Sequence, residues 1–135
     1  MARNRTVFAA GLVVGALALA GCGGGDDEAA APDPTEPAVE AGSTLTASVG
    51  PGFDISLTGP DGADAGALAA GSYTIEVDDQ SDIHNFHLTG PGVEETTEVG
   101  GTGTDSWEVT VESGTYTFVC DPHAGSMSGS FEVSG

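Results

Sequence analysis

Apolar and polar residues alternate along much of the chain downstream of residue 42, as expected of β-strands with one buried face. In three runs every second residue is apolar, and Ser, Thr, Asp or Glu usually stands between. The apolar positions of these runs are Phe53, Ile55, Leu57, Tyr73, Ile75, Val77, Trp107, Val109 and Val111. A helical period is absent from this part of the sequence, although residues 65–70 weakly favour a short helical turn.

Segments rich in Gly and Pro separate the apolar runs, for example residues 59–62 (Gly-Pro-Asp-Gly) and residues 90–92 (Gly-Pro-Gly). Such segments form turns. Short strands at this spacing predict an all-β fold, a sandwich or a barrel. Residues 43–135 are enough for one small domain with one core.

Residues 1–21 have the features of a secretory signal peptide, with Arg3 and Arg5 preceding an apolar stretch at residues 7–19. Residues 19–22 (Leu-Ala-Gly-Cys) resemble the lipobox of bacterial lipoproteins. This resemblance implies cleavage before Cys22, attachment of lipid to its thiol, and anchoring at the extracytoplasmic face of the cell membrane. A plain secretory peptide and an N-terminal membrane helix are the alternatives, but the apolar stretch is short for a span of about 20 residues.

Residues 22–42 are small, acidic and rich in proline. Such a composition cannot bury a core, so this segment is predicted to be a disordered tether that begins with the lipidated Cys22. Its expected role is to hold the domain of residues 43–135 away from the membrane surface.

The charge of the chain is strongly asymmetric. Both basic side chains, Arg3 and Arg5, lie in the signal segment, whereas all 21 Asp and Glu residues follow Cys22. A surface without Lys or Arg has nothing to pair with phosphates, which excludes nucleic acid as a partner and disfavours anionic substrates. The charge instead suits a basic docking partner or a salty habitat.

Two short segments carry the residues with metal-binding chemistry. Residues 81–87 contain His84 and His87, and residues 120–127 contain Cys120, His123 and Met127. One thiolate, two imidazoles and a weakly bound Met are the ligands of a blue-copper electron-transfer site. A metal would also explain the lone thiol of Cys120, which has no disulfide partner if the other cysteine carries lipid.

Strand parity distinguishes the two histidines of the upstream segment. His84 shares a face with Phe86 and Leu88, which are expected to point into the core, whereas His87 points the other way. The same reasoning puts Cys120 on the core face at the end of its strand. His84 is therefore the predicted ligand. A shift of register would instead make His87 a ligand, in place of His84 or beside it.

Residues 82–93 and 114–133 resemble the blue-copper cupredoxins of the plastocyanin and azurin family. The resemblance rests on His84-Asn85, on residues 114–123 (Gly-Thr-Tyr-Thr-Phe-Val-Cys-Asp-Pro-His), on Met127 and on a closing strand at residues 129–133. It implies a Greek-key β-sandwich of about eight strands that holds one type 1 copper.

The resemblance also implies a role for each matched residue. His84, Cys120 and His123 would be the in-plane copper ligands and Met127 the axial ligand, while Asn85 would tie the two ligand loops together by hydrogen bonds. Three residues separate His123 from Met127, where plastocyanin-like members commonly have four. The strength of the Met127 bond is therefore open, and packing alone is the alternative for this residue.

For function, the resemblance implies a shuttle that exchanges single electrons with a redox protein. The predicted lipid on Cys22 and the tether would hold this shuttle at the membrane, and the acidic charge would suit a basic partner. The protein is expected to be a monomer. A copper storage or delivery lipoprotein with the same ligands is the alternative. An enzyme is not expected. Three histidines are too few for the copper clusters of an oxidase, and His123, three residues after Cys120, is poorly placed to activate a cysteine nucleophile. Zinc is disfavoured because Met is a poor zinc ligand.

Overall fold

The computed structural model describes residues 38–135. These residues form nine β-strands and one short 3-10 helix at Asp121–His123. The strands are β1 (Thr44–Val49), β2 (Ile55–Thr58), β3 (Ala67–Ala69), β4 (Gly71–Asp79), β5 (His87–Gly90), β6 (Val93–Thr96), β7 (Gly103–Val111), β8 (Gly114–Val119) and β9 (Ser128–Ser134). The predicted all-β class is confirmed. The predicted signal peptide and Cys22 lie outside the described residues.

The strands form two sheets, one with the order β2-β1-β4-β7 and the other with the order β3-β9-β8-β5-β6. The chain crosses repeatedly from one sheet to the other, and the two sheets enclose one core of apolar side chains. This is the predicted β-sandwich, with nine strands where about eight were expected. Strand β3 replaces the helical turn considered for residues 65–70, because its residues pair in parallel with the end of β9.

The alternation of apolar residues predicts the core well. In β4 the side chains of Tyr73, Ile75 and Val77 are buried, as the period of two requires. In β7 the side chains of Val109 and Val111 are also buried. Trp107, in the same run, is only partly buried and packs against the edge of the core.

Phe53 was predicted to lie on a buried strand face, and this prediction is wrong. The amide of Gly50 donates a hydrogen bond to the carbonyl of Asp54, N···O 2.9 Å, which closes a turn before β2 begins at Ile55. Phe53 lies in this turn with 61% of its surface exposed. The strand is therefore shorter than the apolar run.

The hydrogen-bonded structure begins within the segment that the sequence assigned to the tether. Val39 forms a parallel bridge with Leu68, and its carbonyl accepts hydrogen bonds from the amide of Ala69 (2.9 Å) and the hydroxyl of Tyr73 (2.7 Å). Residues before Ser43 thus contact both sheets. No helix within residues 38–135 is long and apolar enough to cross a membrane.

Candidate metal centre

Strand pairing brings the two candidate segments together at one end of the sandwich. β5 and β8 are antiparallel neighbours, and His87 at the start of β5 lies opposite Val119 at the end of β8. The segment that leads into β5 carries His84, and Cys120 directly follows β8. Residues separated by 36 positions in sequence therefore become adjacent.

The loop after β8 is closed by its own backbone. The amide of His123 donates to the carbonyl of Cys120 (3.0 Å), and the amide of Cys120 donates to the carbonyl of Met127 (2.9 Å). The amide of Met127 donates in turn to the carbonyl of His123 (2.9 Å). These bonds hold the three candidate ligands of the loop in one compact turn, and the side chain of Met127 is fully buried.

Three donor atoms converge between the two segments. The Nδ1 atoms of His84 and His123 are 3.0 Å apart, and the Sγ of Cys120 lies 3.5 Å and 3.6 Å from them. A point equidistant from the three atoms is about 2 Å from each, close to the length of a bond from imidazole nitrogen to a metal ion. The donor set of one thiolate and two imidazoles suits copper. The residues present therefore fit a copper ion.

The donors differ in their access to solvent. His84 and Cys120 are fully buried, whereas His123 is partly exposed. A thiolate in an enclosed site is protected from oxidants that reach an exposed one. His123 is thus the donor that connects the centre to the surface.

Phe53 packs on both histidines. Its ring meets those of His84 and His123 edge-on, with centroid distances of 5.3 Å and 5.0 Å, a favourable aromatic arrangement. The turn that carries Phe53 is held against the segment preceding His84. A Cβ added at Gly50 would come within 2.8 Å of the Cβ of Ser81, so the close approach requires glycine here. Sequence periodicity assigned Phe53 to the core and missed this contact, although the flanking Gly50-Pro51-Gly52 signals a turn.

Asn85 joins the two loops by hydrogen bonds. Its Oδ1 accepts from the backbone amide of Asp121 (2.8 Å), and its Nδ2 donates to the Asp121 carboxylate (2.7 Å) and to Thr96 Oγ1 (3.2 Å). Asp121 lies between Cys120 and His123 in the sequence. The contact with Asn85 therefore restrains the segment that connects these two donors.

His87 lies apart from the three donors. Its Nδ1 donates to the Asp121 carboxylate, at 2.9 Å from Oδ1 and 3.2 Å from Oδ2. The hydrogen bond from His87, and secondarily that from Asn85, lowers the pKa of Asp121 below the ordinary value of an aspartate. Parity predicted only that His87 points away from the metal, and its pairing with Asp121 was missed.

A β-sandwich with a His-Cys-His cluster where β5 and β8 meet defines the class of copper-binding cupredoxins. The sequence profile of the copper-binding proteins of the plastocyanin/azurin family matches residues 34–134. The chain belongs to this family, and its cofactor is copper. No curated protein sequence matches the chain.

Solved structures of rusticyanin and of auracyanin A are similar to this chain at low sequence identity. A rusticyanin variant is 21% identical over 67% of this chain and 76% of its own, with a TM-score of 0.51. Rusticyanin from Thiobacillus ferrooxidans is 20% identical over the same shares, with a TM-score of 0.47. Auracyanin A, a blue copper protein of Chloroflexus aurantiacus, is 18% identical over 67% of this chain and 98% of its own, with a TM-score of 0.45.

Proposed function

We propose that this protein is a membrane-tethered one-electron shuttle with a type 1 copper site. The observation that carries the proposal is the convergence of one cysteine sulfur and two imidazole nitrogens, 3.0 to 3.6 Å apart, in a cupredoxin. Met127, buried in the same loop, is proposed as the weak axial ligand. When bound, copper would supply one-electron chemistry by alternating between Cu(II) and Cu(I).

The side chains around the centre support electron transfer by keeping the donors in one arrangement. Rigid elements and hydrogen-bonded loops hold His84, Cys120 and His123 in place, so the site changes little when its charge changes. Asn85 and the closed backbone of the loop supply this rigidity. Phe53 limits the access of water to the two histidines.

The partly exposed His123 is proposed as the route by which electrons leave and enter. Its loop neighbours Ala124 and Gly125 are exposed and uncharged, and the exposed ring of Phe53 lies against it. A partner that contacts this apolar surface would bring its own redox centre close to the copper. The protein then passes electrons and catalyses no reaction of its own.

The charge of the domain supports a basic partner. Residues 38–135 contain no Lys or Arg, so the net charge of the domain is strongly negative. Complementary charge raises the rate of association by about 10- to 1,000-fold, and salt reduces this gain. A redox partner with a lysine-rich docking face suits this surface best.

The N-terminal sequence supports anchoring at the extracytoplasmic face of the cell membrane. The lipobox-like residues 19–22 suggest lipid on Cys22, and 16 residues separate Cys22 from Val39, where the hydrogen-bonded structure begins. A chain of this length spans at most about 58 Å when fully extended. The copper domain could therefore move between neighbouring membrane complexes.

Stopped-flow electron transfer tests the shuttle function. A small lysine-rich cytochrome serves as the probe donor and the copper-loaded protein as the acceptor, over a series of ionic strengths. We expect the second-order rate to fall by tenfold or more from low to high salt, and the same cytochrome with acetylated lysines to show little dependence.

Phe53→Ser tests the contact surface in the same assay. The substitution does not alter the charge of the protein. We therefore expect a lower rate of electron transfer at every ionic strength, with an unchanged dependence of that rate on salt. Val99→Ser is the matched control, because Val99 is a similarly exposed apolar residue of the β6–β7 loop. Rates that ignore both salt and Phe53 would contradict the docking proposal. Electron transfer too slow to turn over would favour the copper-store alternative.

A further inference from the structure

Asp121 is held by two residues, Asn85 just before β5 and His87 at the start of β5. Its backbone amide and one carboxylate oxygen bind the side chain of Asn85, and both carboxylate oxygens lie within 3.2 Å of His87 Nδ1. His87 is the first residue of β5 and pairs across the ladder with Val119, which directly precedes Cys120. The contact therefore joins the strand to the part of the loop that carries two copper donors.

The exposure of this pair indicates what it contributes. The side chains of His87 and Asp121 are 23% and 51% exposed. Ion pairs with such access to solvent contribute little to global stability. Hydrogen bonds that orient metal ligands nevertheless have large effects on metal affinity. The pair is thus expected to fix the position of the loop and to have only a weak effect on the melting temperature.

We propose that His87 is a positioning residue of the copper centre. By binding the Asp121 carboxylate, it holds Cys120 and His123 in the arrangement that copper requires before the metal arrives. Asn85 restrains the same residue from its backbone side, so the two side chains act on different atoms of Asp121. This inference rests on copper binding at the proposed site, and on no step of electron transfer.

Copper affinity, measured by competition with a chelator on the full chain, tests the proposal. We expect His87→Ala to keep the absorption band but to weaken copper binding by about 10- to 100-fold. His87→Asn should restore most of the affinity, because the amide nitrogen of Asn is as many bonds from the backbone as Nδ1 of His. The melting temperature of the metal-free protein should fall by no more than a few degrees in either variant.

Two controls separate positioning from a general structural effect. Thr89→Ala changes a partly buried residue on the same face of β5 and should leave copper affinity unchanged. In an Asp121→Ala background, adding His87→Ala should cause no further loss, since the two residues act through one contact. If His87→Ala does not fold, Asp121→Ala removes the same contact from the other partner and should weaken copper binding at least as much.

Wild-type affinity in a folded His87→Ala variant would overturn the proposal. A loss of copper affinity in His87→Ala that His87→Asn does not restore would also overturn it. So would a further loss of copper affinity when His87→Ala is added to Asp121→Ala. A wild-type chain that binds no copper would instead overturn the assignment of the metal site, so the two failures are distinguishable.

Discussion

A Cys120→Ser variant is expected to remain folded but to lose entirely the intense visible absorption band of the Cu(II) protein. The band of a blue-copper site arises from charge transfer between the cysteine sulfur and the metal. A serine hydroxyl keeps its proton near neutral pH and cannot replace the thiolate. Absorption spectra after addition of Cu(II), with circular dichroism to check the fold, measure this result.

Cys22→Ser is the matched control, because it makes the same chemical change at the other cysteine of the chain. It should leave the band unchanged in unlipidated protein, since Cys120 is the free cysteine within the described residues and lies 3.5 Å from His84 Nδ1. A band that survives in Cys120→Ser, or that disappears in Cys22→Ser, would show that Cys120 is not the sulfur ligand.

His84→Ala is expected to destroy the centre, whereas His87→Ala should retain its colour. His84 is fully buried and supplies an Nδ1 atom 3.0 Å from that of His123, so no solvent-exposed side chain can take its place. Loss of a direct ligand should lower copper affinity by more than roughly 100-fold. That is the largest loss expected for a residue that contacts the copper site without binding the metal. His87 lies outside the cluster and should affect only the tightness of binding.

Copper titrations followed by absorption compare the two variants under the same conditions. The opposite ranking, with colour lost in His87→Ala and kept in His84→Ala, would mean that the register at the start of β5 differs from the one described. It would also remove the basis for His87 as a positioning residue.

Much of the fold follows from local patterns in the sequence. The period of two in β4 reports burial directly, because the side chains of a strand alternate between the two faces of a sheet. The same reasoning places His84 and His87 on opposite sides, and in the structure one lies with the donors and the other with Asp121. Alternation is informative here because both segments lie on or beside regular strands.

The residues that sequence reasoning missed depend on contacts between distant segments. Phe53 continues an apolar run, but the Gly50 to Asp54 hydrogen bond and the packing of Gly50 on Ser81 place it over the histidines. The His87 to Asp121 contact likewise requires knowing that β5 pairs with β8. A local period indicates which face of a strand is buried, but it does not indicate which other strand that strand pairs with.

Strand β3 was missed for a related reason. The segment Ala67–Ala69 is short, and its residues have high helix propensity. It nevertheless forms a strand because it pairs in parallel with the end of β9. Pairing in the folded state outweighed the local preference of alanine.

A redox titration of the copper-loaded full chain, followed by its visible absorption and metal content, tests the central claim most directly. The proposed function predicts one copper per chain. It also predicts a band that disappears with one electron per copper, returns fully on reoxidation, and involves no loss of metal over repeated cycles. A colourless protein that holds only zinc would contradict the claim, as would copper released on each reduction, which is the behaviour of a store or delivery protein.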